Sequence, residues 1–196
     1  MKFASTGLGS RLRNEARAEV ARVALELAVD RGFDEVTVSE IAQAAGISRA
    51  TFFRYFDGKN DAVLASIDGI GNRIAAAVLE QPDEIDAWTA LSRATAAVVG
   101  DELADADRSL ARARLVTRTT SLRARELEKQ HRWQEQLRAA IAARSAAAAD
   151  DIRVRTLSAA ALAALQAATD AWVESDGRLS PKTLLEQAFA ALRAPQ

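Results

Sequence analysis

Apolar residues along this chain recur at spacings of three and four, the repeat of one helix face, and they rarely alternate with polar ones as a half-buried strand requires. The first such face, over residues 11–31, is Ala16, Val20, Val23, Ala24 and Leu27. A later one, over residues 59–79, is Val63, Ile67, Ile70, Ile74 and Val78, interrupted by Gly69 and Gly71, which mark either a bend or a close helix contact. Further helices are expected from Pro82 to about residue 99, over 101–144 with a break near 119–121, over 151–174, and from Ser180-Pro181 to Leu192. The pattern predicts an all-α fold of about nine helices.

Between the first two long faces lie two short helices with explicit start signals. Thr37-Val38-Ser39-Glu40 has the form of a capping box: the Thr37 hydroxyl accepts from the Glu40 amide and the Glu40 carboxylate reaches back to the Thr37 amide. Val36 and Ile41 stand at the positions of a hydrophobic staple. Gly46 permits a tight turn, and Ser48, flanked by Ile47 and Phe52, starts the next helix over 49–56. Upstream, Gly32 followed by Phe33 reads as a helix stop. Two short helices joined by a glycine turn form a helix-turn-helix.

Composition narrows the chemistry. The 196 residues contain no cysteine and one histidine, His131, so disulfides, thiolate catalysis and cysteine or histidine metal clusters are excluded and no metal or cofactor is expected. No pairing of nucleophile and base supports an enzyme. The stretch MKFASTGLGS lacks the apolar core of a signal peptide and reads as an arm. No later run holds some twenty uninterrupted apolar residues, so no membrane partner and a cytoplasmic location are expected. Net charge is only -1, and over residues 1–60 nine cations face eight acids. Any nucleic-acid surface must therefore come from where particular cations point. Arg11 and Arg13 are candidates for minor-groove or phosphate contacts, or equally for a solvated helix start.

On the helix over 49–55, successive side chains stand about 100 degrees apart. Phe52 and Phe56 share one face, suited to a small core, while Ala50, Thr51 and Arg54 point away from it. Arg54 can pair with guanine O6 and N7, Thr51 can meet a thymine methyl or a phosphate, and Tyr55 and Lys59 can fix the backbone. The spacing alone is also compatible with ordinary helical packing. The stretch from Gly32 to Leu64, GFDEVTVSEIAQAAGISRATFFRYFDGKNDAVL, resembles the DNA-binding segment of the TetR family of bacterial repressors. The resemblance implies a three-helix DNA-binding domain over 1–58, a helical regulatory and dimerisation domain over 59–196, and a homodimer on palindromic double-stranded operator DNA. By motif position it implies phosphate contacts at Thr37, Ser48, Thr51, Tyr55 and Lys59, and base contacts at Arg49, Ala50 and Arg54. Phe53, a further candidate DNA contact by motif position, stands where the family often has tyrosine and lacks that residue's phosphate hydrogen bond, and Tyr55 stands where histidine is common.

The regulatory half is less explicit. Arg112, Arg114, Arg118, Arg123, Arg125 and Arg132 form a basic stretch near Trp133, readable as a solvated face paired with Glu126, Glu128 and Glu135 or as an anion site at the mouth of a pocket. Residues 112–144 are similar to actinobacterial members of the family that respond to acyl-coenzyme A-like molecules, including the mycofactocin-regulator subgroup. That similarity implies a small-molecule effector near Arg114, Arg118, Arg125 and Trp133. The recurrence of Val154, Leu157, Ala161, Leu165, Ala168 and Trp172, with Leu185 and Phe189 in the last helix, is the pattern of a dimer interface built as a four-helix bundle. The candidate interface residues are Leu157, Ala161, Leu165, Trp172, Leu185 and Phe189, and an internal core face would show the same spacing. A DNA-binding dimer without an effector, and a bundle that binds only protein, are the competing readings.

Overall fold

The structure is a computed structural model that describes residues 5–193, with side chains from Leu12 onward apart from Ala104. Among the described residues there are ten α-helices, two short 3-10 turns and no strand. The helices are α1 (Ser5–Arg31), α2 (Val38–Ala44), α3 (Arg49–Tyr55), α4 (Lys59–Leu64), α5 (Ile70–Leu79), α6 (Ala87–Glu102), α7 (Ala106–Arg118), α8 (Thr120–Ser145), α9 (Ile152–Glu174) and α10 (Pro181–Ala191). The expected arm over 1–10 lies partly outside the described residues, and its later part is the beginning of α1.

Two compact units divide the chain, one of residues up to Asp68 together with Thr119–Arg125, the other of Gly69–Arg118 and the residues from Glu126 onward. The sequence-based boundary at residue 58 is therefore ten residues short. Residues 59–68 belong with the first unit because Ala62, Val63 and Leu64 of α4 are buried in its core. The continuous helix expected over 59–79 is broken as well: a 3-10 turn, Ala65–Ile67, follows α4, and α5 starts only after Gly69. Segment Lys59–Leu79 has the length and apolarity of a membrane span, but core segments of a folded chain pass that test equally. Its Val63 and Leu64 are buried in the first unit, and its Ile74 and Val78 in the second.

In the first unit α1 packs on α4 and α2, and α2 packs on α3. The buried face of α1 is Val20, Ala21, Val23, Ala24, Leu25 and Ala28; it includes Val20, Val23 and Ala24 of the expected face, whereas Ala16 is exposed and Leu27 half-buried. Phe33, Val36, Ile41, Phe52 and Phe56 complete this core.

In the second unit α9 packs against α10, α6 and α7, and α5 packs against α6. Helix α6 begins at Ala87 rather than Pro82, because Asp86 is the residue that caps it. The Asp86 carboxylate accepts from the amides of Trp88 and Thr89, both at 3.0 Å, and from the Thr89 hydroxyl at 2.6 Å. Its pKa is lowered, first by the Thr89 hydroxyl. Gly71 of α5 meets the Trp133 ring so closely that a Cβ there would lie 2.5 Å from the indole. Of the two readings of the paired glycines, Gly69 takes the bend and Gly71 the close contact.

Candidate DNA-binding site

The helix-turn-helix is built by hydrogen bonds that the local sequence dictates. At the start of α2 the Thr37 hydroxyl accepts from the Glu40 amide at 3.2 Å, and Glu40 Oε2 accepts from the Thr37 amide at 2.9 Å and the Thr37 hydroxyl at 2.7 Å. Arg31 donates to the other Glu40 oxygen at 2.7 Å. The Thr37 hydroxyl and the Arg31 guanidinium, with the Thr37 amide, hold the Glu40 carboxyl down to about 2. Helix α2 ends in a Schellman turn, with the Gly46 amide on the Gln43 carbonyl and the Ile47 amide on the Ala42 carbonyl. Gly46 has φ +66°, where a Cβ would be strained. Ser48 then caps α3, its hydroxyl accepting from the Thr51 amide at 3.1 Å and donating to the Thr51 hydroxyl at 3.1 Å.

Helix α3 is held by one side only. Phe52 and Phe56 are buried and 5.4 Å apart between ring centroids, while Thr51 and Tyr55 are half-buried. Arg49, Ala50, Phe53 and Arg54 are exposed. At about 100 degrees per residue these four occupy a single arc of roughly 140 degrees, with Phe53 and Ala50 in its middle and an arginine at either edge. Thr51, expected on this outward face, is half-buried, with its hydroxyl against that of Ser48.

Charge is sorted just as clearly. Arg17 pairs with Asp68 at 2.8 Å and lies over the Phe56 ring, Arg22 pairs with Glu19 and Glu26, and Arg31 pairs with Glu40. Lys59 is held inward: its ammonium donates to the carbonyls of Phe33 at 2.8 Å, Val36 at 3.0 Å and Asp34 at 3.4 Å, and lies over the Phe33 ring. Those bonds tie α4 to the turn before α2. Arg125, in the second turn of α8, is 3.7 Å from the Asp57 carboxylate. Among the described residues Arg49 and Arg54 make no ion pair with any acid of the chain, and Arg54 lies only over the Tyr55 ring, at 5.4 Å. This surface can take up phosphates and base edges without first giving up an internal partner.

The family model for bacterial regulatory proteins of the tetR family matches residues 21–65, and that for the MftR C-terminal domain matches residues 85–196. The chain belongs to the TetR family. It is 35% identical over 151 residues to the HTH-type transcriptional regulator TcmR of Streptomyces glaucescens, a match covering 74% of this chain and 67% of TcmR. It is 28% identical over 173 residues to the protein named as a mycofactocin biosynthesis transcriptional regulator, MftR, of Mycobacterium tuberculosis, covering 85% of this chain and 84% of that one. Among solved structures, the transcriptional regulator FadR of Bacillus subtilis in complex with stearoyl-CoA shares its fold, with a TM-score of 0.62 at 18% identity over 90% of this chain and 97% of FadR. As a TetR-family member this chain is a DNA-binding transcriptional regulator and not an enzyme. Regulators of the family bind operator DNA, act as dimers and take small-molecule effectors.

In the second unit of this TetR-family chain, several arginines find partners on other elements. Arg112 and Arg73 both pair with Glu102, and Arg114 donates to the Asp176 carboxylate at 2.6 Å and the Asp176 carbonyl at 3.1 Å. Of the residues expected around an effector, Arg114 is thus engaged by Asp176, Arg125 belongs to the first unit beside Asp57, Arg118 is exposed and Trp133 is buried against Gly71. One residue escaped the sequence reading altogether. Lys129 of α8 is 2% exposed and engaged with its surroundings, on the same helical stripe as Leu122, Trp133 and Leu137. Its spacing from them was the available signal.

The candidate interface residues are also placed differently. Ala161, Trp172, Leu185 and Phe189 are buried within the single chain, and Leu157 and Leu165 are half-buried. The four buried residues lie on the internal face by which α9 and α10 pack on each other and on α6. The exposed side of α9 carries Ala159, Ala163 and Ala167 instead.

Proposed function

We propose that this regulator is a cytoplasmic repressor whose homodimer sets two copies of α3 in successive major grooves of a palindromic operator and leaves the DNA when a small-molecule effector binds. The observation that carries the DNA reading is the outward arc of α3, with Arg49 and Arg54 free of internal acids at its edges. These arginines, with Ala50 between them, reach base edges, while Thr37, Ser48, Thr51 and Tyr55 lie nearest the backbone. Phosphate binding by Lys59 is given a lesser part, since its three donors already serve carbonyls. Dimerisation is assigned to the exposed faces of α9 and α10, where Ala159, Ala163 and Ala167 permit close helix approach.

For the effector we propose an amphipathic anion such as an acyl-coenzyme A. The stearoyl-CoA held by the structurally similar FadR supports it, as does the arginine-rich composition of α7 and α8. Trp133 remains the apolar candidate and Arg118 an accessible cation, whereas Arg114 and Arg125 would have to exchange a carboxylate for the ligand. The test of the DNA reading is Arg54→Ala on a selected duplex. It should lower affinity for that duplex roughly 5- to 150-fold, as for losing one bidentate base pair contact, with nonspecific binding and the folded dimer retained. An unchanged ratio of selected to nonspecific affinity would remove Arg54 from base recognition. A panel of acyl-coenzyme A compounds and free fatty acids that leaves the complex intact would favour the reading without an effector.

A further inference from the structure

The middle of the reading surface is apolar, although a DNA-facing helix meets mostly polar edges. Phe53 is 50% exposed, with Ala50 beside it on the outward arc and Arg49 and Arg54 at either side. Its ring is not loose: it stands edge-on to the fully buried Phe52, with centroids 5.6 Å apart and planes at 88°. A half-exposed phenylalanine gains nothing from phosphate, since it has no donor. In the major groove, base edges present hydrogen-bond donors and acceptors, and the distinctive apolar group is the thymine C5-methyl.

We infer that Phe53, with Ala50, reads thymine methyl groups, so that each operator half-site contains thymine at the centre of the α3 footprint with arginine-read guanines flanking it. This rests on the reading of α3 as the DNA-binding helix. Apolar contact supplies the shape of the site, and the two arginines supply its charge and hydrogen bonds. Because the braced ring presents a fixed surface, it discriminates a base pair with a methyl from one without it.

The test uses the full-length protein and a duplex selected from a random pool. Each thymine of a half-site is replaced in turn by deoxyuridine, which removes only the methyl and leaves pairing intact. At one or two positions per half-site the affinity should fall roughly four-fold per methyl, the effect of burying one carbon. In Phe53→Ala the difference between thymine and deoxyuridine should vanish at one of those positions at least, and Phe53→Tyr, which keeps the ring, should retain it. Equal binding of every deoxyuridine duplex by the unaltered protein, or a difference that persists in Phe53→Ala at every sensitive position, overturns the inference while leaving the DNA reading in place. A selection that enriches no sequence removes both.

Discussion

The two units of this chain put their arginines to different uses. In the first, Arg22, Arg31 and Lys59 are tied to helix starts, turns and neighbouring turns of the same helix, Arg17 reaches Asp68 and Arg125 reaches Asp57, and Arg49 and Arg54 on α3 have no acid partner among the described residues. In the second, Arg112, Arg114, Arg73 and Arg144 reach groups 10 to 63 positions away, Arg144 through carbonyls at Gln81, Pro82 and Ile85. A unit that must present one surface to a polyanion keeps its remaining cations quiet. A unit that must hold long helices in register uses its cations as cross-links.

The sharpest way to probe the first half of this contrast lies within α3, where adjacent phenylalanines have opposite roles. Phe52→Ala removes a ring with 0% exposure and should lower unfolding free energy by about 3–5 kcal/mol. Phe53→Ala should change it by no more than about 0.5 kcal/mol. Urea unfolding of both variants checks this, and equal effects would contradict the one-sided attachment of α3.

In the second unit, Gly71→Ala forces a methyl into the Trp133 ring and should destabilise by about 1–3 kcal/mol. Thermal unfolding followed by tryptophan fluorescence should show it, and a neutral outcome would mean that α5 and α8 separate easily. Next in size is Lys59→Met. With three carbonyl bonds lost, it should destabilise the first unit by about 1–2 kcal/mol, while the dependence of DNA affinity on salt stays as it was. A salt slope lowered by about one would instead make Lys59 a phosphate contact.

How far such contrasts could be read from sequence depends on their range. The capping box at Thr37 and Glu40, the Ser48 cap and the Gly46 turn each lie within three residues of what they bind, so they were legible before any fold was known. The outward arc of α3 is legible in part: the spacing puts Arg54 and Ala50 on it, Phe53 enters only through the family motif, and Thr51, expected outward, is half-buried. The stripe on α9 and α10 leaves core and mating face undecided in the sequence, because an internal stripe and an intersubunit stripe share one periodicity. Pairings such as Arg114 with Asp176 carry no local signal at all.

The smallest predicted effect is one of pH. Glu40 ionises near 2 in the folded chain and near 4.5 when unfolded, so its folded carboxyl is depressed. Its contribution is fully present above about 4.5 and is lost as pH falls toward 2. Glu40→Gln should flatten the stability of the first unit over that window, and an unaltered acid profile would dismiss the capping box as a contributor.

The central claim is that α3 reads a specific duplex. It is tested most directly by equilibrium binding of the full-length protein to a pool of random duplexes at fixed salt, followed by sequencing of the bound fraction. The account predicts enrichment of a two-fold symmetric site whose half-sites are about one helical turn, or a multiple of it, apart. A well-folded dimer that retains the pool without enriching any sequence would contradict it.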